Sequence, residues 1–184
     1  MGFKSFLFLC WCCFLVSFTG IYLTQWKYIP EKAQVKFFVI EPKGEEAGVF
    51  AGIDGNVNFD PETPEKGSIT AEIDVKTINT GMEMRDESLR SKDFFEVEKY
   101  PKLRFVSETI TKTDSGYLAT GKLTIKKVTK TRQIPFTFTP ATATSEAVFK
   151  GIFMIDRYEF GVGVKNDGVG NRVRIELEIP VKKQ

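Results

Sequence analysis

At 184 residues, with 42% hydrophobic side chains and 17 phenylalanines, the chain can bury one full core but is short for two domains. Its 26 basic and 24 acidic residues give a net charge of +2, no field for steering nucleic acid or acidic substrates. It has no histidine, which removes the commonest general base, the imidazole of hydrolytic triads and the commonest metal ligand together.

In chain order, Lys4 precedes an apolar run from Phe6 to Val16, and the small or polar Ser17, Thr19 and Gly20 follow. This is the order of charge, greasy core and exit site found in secretory signals. No formal charge intervenes between Lys4 and Lys27, so residues 1–26 read either as a cleaved signal peptide or as an uncleaved signal anchor, near the ~20 residues that span a bilayer. Both readings keep Lys4 in the cytoplasm and export residues 27–184, to the periplasm or the outer face of the membrane. Cys10, Cys12 and Cys13 all fall in this leader, and none stands in a lipobox-like setting. The rest of the chain has no disulfide, thiolate nucleophile or thiolate metal site available to it.

Tyr28 to Lys32 reads as a linker. Beyond it, side chains alternate with the period of two that marks half-buried strands. Val35, Phe37 and Val39 define a face of the first strand; Val49, Ala51 and Ile53 define one of the second, interrupted by Asp54-Gly55. In the third, Ile69, Ala71, Ile73 and Val75 alternate with Thr70, Glu72, Asp74 and Lys76. From Asn79 to Phe95 the rhythm breaks, and Met82, Met84, Arg85, Asp86, Leu89 and Phe94 suit a short helix closed by Phe94 and Phe95. Strands resume at Pro101 with Leu103, Phe105 and Val106, then Tyr117, Ala119, Gly121, Leu123 and Ile125, then Ile134, Phe136 and Phe138, then Phe149, Gly151, Phe153 and Ile155, and last Val173 to Val181. The dense basic group Lys126, Lys127, Lys130 and Arg132 reads as a solvated turn. The glycine-rich segment from Phe160 to Asn171 precedes a strand and not a helix, so it reads as a flexible rim loop and not a phosphate cradle. The predicted fold is all-β: an extended antiparallel barrel of about eight strands, with a short helical insert between the third and fourth.

A barrel of this size is either filled by side chains or hollow enough for one small ligand. The inward files carry Ala51, Ala71, Ala119, Gly121 and Gly151, which open a void if they cluster. They equally suit a filled barrel in which small residues offset large phenylalanines. Carboxylates are the remaining chemistry. Asp86 and Asp93 could act with Arg85, but a surface helix of mixed charge has the same pattern. Asp60, Glu62 and Glu65, and separately Asn166 and Asp167, lack the spacing of a calcium loop. No catalytic residue, metal ligand or cofactor follows. The competing functions are an apolar-ligand binder, a non-catalytic or stress-related envelope scaffold docking through the insert or the glycine-rich loop, and an enzyme on an apolar substrate; a homodimer is compatible with each.

RDESLRSKDFFEVEKYPKLRF, from Arg85 to Phe105, resembles the most recognisable stretch of the YceI-like family of polyisoprenoid- or lipid-binding domains. GNVNFDP from Gly55, IDVKTINT ending at Thr80, GKLTIKKVTK from Gly121 and FMIDRYEFGVG from Phe153 resemble further family segments in the same order. The resemblance implies a lipocalin-like barrel, exported to the periplasm, holding an isoprenoid or another long-chain lipid in its interior. By position it places Phe94, Phe95, Tyr100, Pro101 and Phe105 at the closing loop and pocket wall, with Arg85 and Asp86 at the insert. With the inward residues Phe37, Val39, Ala51, Ile53, Ala71, Ile73, Ala119, Gly121, Leu123, Phe136, Phe138, Phe149, Gly151 and Phe153, these aromatics form the candidate ligand-binding set. Two departures stand out: Gln34 and Val35 where members carry histidine, and Lys127 where members carry a turn glycine, which matters if that turn needs positive φ.

Overall fold

The computed structural model describes residues 23–165 and 168–184. The leader readings of residues 1–22, with their three cysteines, lie outside the described residues, as do Asn166 and Asp167. Ten strand segments alternate apolar and polar side chains: β1 (Gln25–Tyr28), β2 (Gln34–Glu41), β3 (Gly44–Phe50), β4 (Ile53–Asn58), β5 (Ser68–Asp74), β6 (Lys102–Thr113), β7 (Gly116–Ile125), β8 (Val128–Thr139), β9 (Ala147–Asp156) and β10 (Arg172–Lys183). One α-helix, α1 (Glu83–Arg90), lies between β5 and β6.

The strands run in the order β1-β4-β5-β6-β7-β8-β9-β10-β2-β3, and β1 also pairs with β10, which closes the sheet. Ten segments fill eight barrel positions. β1 and β2 both lie along β10, at Val181–Lys183 and at Val173–Glu178. Their partners β4 and β3 follow one another on the other side. The expected eight-stranded antiparallel barrel is therefore present, with its first two strands each broken once.

Those breaks are where sequence periodicity misleads. Trp26, Tyr28 and Ile29 are buried, so the segment expected to begin a linker is a wall strand, and the barrel includes Gln25 and Trp26 ahead of Lys27. Four residues give only two inward positions, too short a run to register as a strand. In the second strand Val49 and Ala51 are exposed while Gly48, Phe50 and Ile53 are buried. The backbone turns at Gly52, where φ is +69°, and that step lets residues three apart, Phe50 and Ile53, both face inward. Phe37 covers its cross-strand partner Gly48 so closely that a Cβ there would lie 2.2 Å from the ring.

Between β3 and β5 the regular ladder lapses, and the wall is joined by the Val49–Asn79 bridge and by the Thr77 hydroxyl, which bonds the Ala51 amide and carbonyl. The insert covers the opening, with Leu89, Phe94 and Phe95 packed on the core. Asp86 is not on a solvated face; it is 3% exposed and accepts hydrogen bonds from the Thr80 amide at 2.8 Å and hydroxyl at 2.7 Å. This fixes the turn that leads into α1. Arg85 pairs instead with Glu46 of β3.

The described parts of the glycine-rich segment are tied to the end of β9. Arg157, 5% exposed, donates to the carbonyls of Val162, Val169 and Gly170, each at 2.8 Å. Phe160 is fully buried. At the β7–β8 turn the positive φ falls on Lys126 (53°) and not on Lys127, so the missing glycine at 127 costs no backbone strain. The strained position is its neighbour, whose Nζ donates to the Gly161 carbonyl at 3.0 Å.

If β1 closes the barrel, its core residue should dominate local stability. Trp26 is 6% exposed and its indole N–H donates to the Phe59 carbonyl at 2.9 Å. Trp26→Ala is expected to cost about 3–5 kcal/mol in urea unfolding, the range for large aromatic deletions. A loss under 1 kcal/mol would mean β1 is not part of the closed wall.

Candidate functional site

The inward faces of the ten strands do not fill the barrel. They surround a cavity of about 220 Å³ whose wall is almost wholly aliphatic and aromatic. Most of the expected residues line it: Phe37 and Val39 on β2, Ile53 on β4, Ala71 and Ile73 on β5, Phe105 on β6, Ala119 and Leu123 on β7, Phe136 on β8, Phe149 and Phe153 on β9, and Phe94 and Phe95 from the insert. The void sits where Ala71 replaces bulk; Ala119 meets it only at its edge, at 2% exposure.

The other small residues act differently. A Cβ on Gly121 would sit 2.2 Å from the Val106 carbonyl oxygen, and one on Gly151 2.7 Å from that of Pro135. These two glycines admit a neighbouring backbone and are not on the cavity wall. β6 is bulged at Ser107/Thr109, opposite Gly121, so the close approach belongs to the strand pairing itself. Ala51 is exposed at the β3–β4 break, Tyr100 packs under the Lys99 ammonium, and Phe138 lies beyond the cavity floor; none of the three touches the cavity.

The floor is an aromatic cluster around Phe59, which is fully buried. Its ring centroid lies 4.9–5.5 Å from those of Tyr117, Phe136, Phe138 and Phe149, with interplanar angles of 67–87°, the edge-to-face geometry that aromatic quadrupoles favour. Trp26 packs on Phe138 at 5.2 Å. This end of the barrel is shut.

The other end opens. Phe37, Val39, Leu89, Phe94 and Val169 line both the cavity and an outer groove that adds Glu41, Glu46, Thr80, Arg85 and Ser88. The way in thus passes between the β2–β3 hairpin, α1 and the glycine-rich segment, and changes from polar to apolar at Phe94. Met84, 82% exposed, and Met82 stand at the start of α1 beside it.

Few polar atoms reach the interior. The Tyr28 hydroxyl donates to the Thr70 carbonyl at 3.1 Å; burial, reinforced by the charge of Asp54, holds this phenol well above its ordinary range, so it stays a neutral donor. Among the described residues no carboxylate lines the cavity. Its charged contacts are Arg104, ion-paired with Glu72 at 3.2 Å, and Arg157, committed to backbone carbonyls. Among the described residues no cluster of acidic side chains could hold a metal ion; the Asp60 carboxylate accepts from the Glu62 amide in a local turn.

Sequence reasoning missed Tyr28, Phe50, Leu89, Arg157, Val162 and Val169 as wall residues. Tyr28 and Phe50 carried a signal, inward spacing from Trp26 and from Gly48, that the strand breaks concealed. The last three lie where no periodicity exists to read.

Comparison with known proteins gives concordant matches. The sequence pattern of the YceI-like domain matches residues 26–181. A UPF0312 protein of Photorhabdus laumondii is 39% identical over 83 residues, 45% of this chain and 43% of that one. The chain therefore matches less than half the length of that relative. The crystal structure of BcnA from Burkholderia cenocepacia is similar with a TM-score of 0.76 at 30% identity, covering 84% of this chain and 99% of that one. A polyisoprenoid-binding domain from Saccharophagus degradans, implicated in plant cell wall breakdown, shares the fold at a TM-score of 0.65 and 12% identity, over 88% of this chain and 99% of that one.

The two kinds of small residue separate by mutation. Gly121→Ala forces β6 and β7 apart and is expected to cost about 2–3 kcal/mol in thermal or urea unfolding, as overpacking does. Ala71→Val points into the cavity and should be nearly neutral. Equal costs would show that no void lies in front of Ala71.

Proposed function

The chain belongs to the YceI-like domain family, and from that premise we propose that it binds a long-chain amphiphile, a polyisoprenoid, isoprenoid quinone or related lipid, in the barrel interior, and carries it without transforming it. The observation that carries this reading is the one-ended cavity of about 220 Å³, with an apolar wall among the described residues and a polar mouth. An apolar wall rewards hydrocarbon at roughly 25 cal/mol per Å² removed from water. The mouth gives a polar headgroup somewhere to remain hydrated. The polyisoprenoid-binding description of the Saccharophagus degradans neighbour agrees with a prenyl tail.

The competition is with a bilayer, where such a tail is already out of water, so the net difference is small and the ligand can be loaded and released. Export to the periplasm, through the leader of residues 1–26, would put the carrier beside its membrane source. Chemistry on the ligand is disfavoured because the groups nearest to it are hydrocarbon, a phenol held neutral and two arginines already paired. An interaction scaffold is the second reading. It draws on the exposed methionines of α1 and predicts that docking, not lipid content, changes when they are altered.

Purification of the full chain from an exporting host, followed by organic extraction and mass spectrometry, tests the proposal. Stoichiometric lipid is expected in the wild type, and Ala71→Phe should lower it at least about ten-fold, since a ring in the void displaces several methylenes at about 0.8 kcal/mol each. Met84→Glu should leave it unchanged. Equal lipid in Ala71→Phe and wild type, with both folded by near-UV circular dichroism, would rule out interior binding.

A further inference from the structure

Elsewhere in the wall hydrocarbon is kept to one face. β5 turns Ile69, Ala71 and Ile73 toward the cavity and Thr70, Glu72 and Asp74 outward, as a sheet with one wet side should. β9 departs from this. Phe149, Phe153 and Ile155 line the cavity, yet the outer side of the same strand carries Val148, Ile152 and Met154, with Ile152 59% and Met154 38% exposed. β2 does likewise, with Phe38 and Ile40 outside while Phe37 and Val39 face inward. Strands apolar on both faces belong to sheets covered on both, and here the outer cover is missing among the described residues.

The pairing register sorts that outer face into rows. Across β9, β10, β2 and β3 one row reads Ile152, Glu176, Lys36, Val49, and the next reads Met154, Arg174, Phe38, Ala47. Laid on its own reverse, each row complements itself. The first sets Ile152 on Val49 and Glu176 on Lys36; the second sets Met154 on Ala47 and the Arg174 guanidinium on the Phe38 ring. Arg174 already stacks on Phe38 within the chain, at 4.4 Å, whereas Lys36 makes no ion pair among the described residues. Contacts in which i meets j and j meets i are those a two-fold axis generates. An anionic lipid surface would favour one sign of charge, and on this face Lys150 is matched by Glu178 and Arg174 by Glu45 and Glu176.

We propose that the outer face of β9, β10, β2 and β3 docks a second copy of this chain, about a two-fold axis that runs along the strands between β10 and β2. Rotation about that direction leaves the sense of the strands unchanged. Both mouths therefore lie at one end of the pair, and the two α1 helices can meet a single surface together. The far wall is unsuited to this role, because β4 and β5 turn Asp54, Asn56, Thr70 and Glu72 outward, polar groups that a dry contact would leave unpaired.

Sedimentation equilibrium of the full chain, purified from an exporting host, tests the proposal. A dimer is expected. Ile152→Glu, Lys36→Glu and Glu176→Lys should each weaken it at least about ten-fold, because a symmetric contact is lost twice. Combining Lys36→Glu with Glu176→Lys restores opposite charges across the axis and should recover the wild-type association. Asn56→Glu, on the far wall, should change nothing, and near-UV circular dichroism should be the same for every variant. A wild type that stays monomeric at all concentrations would overturn the proposal. So would a dimer indifferent to Ile152→Glu, which would place the contact on another face, or failure of the exchanged pair to recover association. Binding of the monomer to phosphatidylcholine vesicles that Ile152→Glu abolishes would assign the face to a bilayer and overturn it equally.

Discussion

An apolar chamber can stay empty inside a protein only if the backbone groups around it find partners within the wall, because each unpaired amide or carbonyl would otherwise draw water in. The antiparallel ladder does most of this, and the remainder falls to a few residues. β1 closes the ring by pairing with both β4 and β10. Where β3 and β5 part, the insert takes over, pinned by Asp86 on Thr80. Where strand pairing ends at the mouth, the Arg157 guanidinium satisfies three carbonyls of the glycine-rich segment. These polar residues act at the margins, and the middle is left to hydrocarbon.

That division leaves the wall, among the described residues, without a carboxylate. The phenol that does reach it, Tyr28, is held neutral by burial. The interior offers dispersion contacts and shape. A tail threaded past Phe94 toward Phe59 would exchange one hydrocarbon environment for another, so selectivity must come from fit and length and not from strong individual contacts. The same geometry would give a bound amphiphile a direction, tail inward and headgroup at α1.

Much of this was legible in the sequence. The alternation on β5 to β10 gave strands and inward files correctly, because each runs long enough for a period of two to stand out, and the break after Thr80 located α1. The first two barrel strands were read less well: β1 is only four residues long, and Gly52 resets the inward phase between Phe50 and Ile53. The small residues were ambiguous for a different reason. Ala71 and Gly121 look alike in a pattern of sizes, yet one faces the cavity and the other a backbone oxygen at the bulge in β6. Arg157, Val162 and Val169 belong to irregular chain, where position follows from hydrogen bonding across sequence and not from local period.

Because the account depends on an empty, dry interior, a crystal of lipid-free protein under xenon pressure examines it most directly. Xenon enters apolar voids and is held there by dispersion alone. The expected result is xenon among Ala71, Ala119 and Phe153, with the wall side chains in place and no ordered water beside them. A chamber without xenon, collapsed by inward rotation of the phenylalanines or occupied by hydrogen-bonded water, would contradict the account.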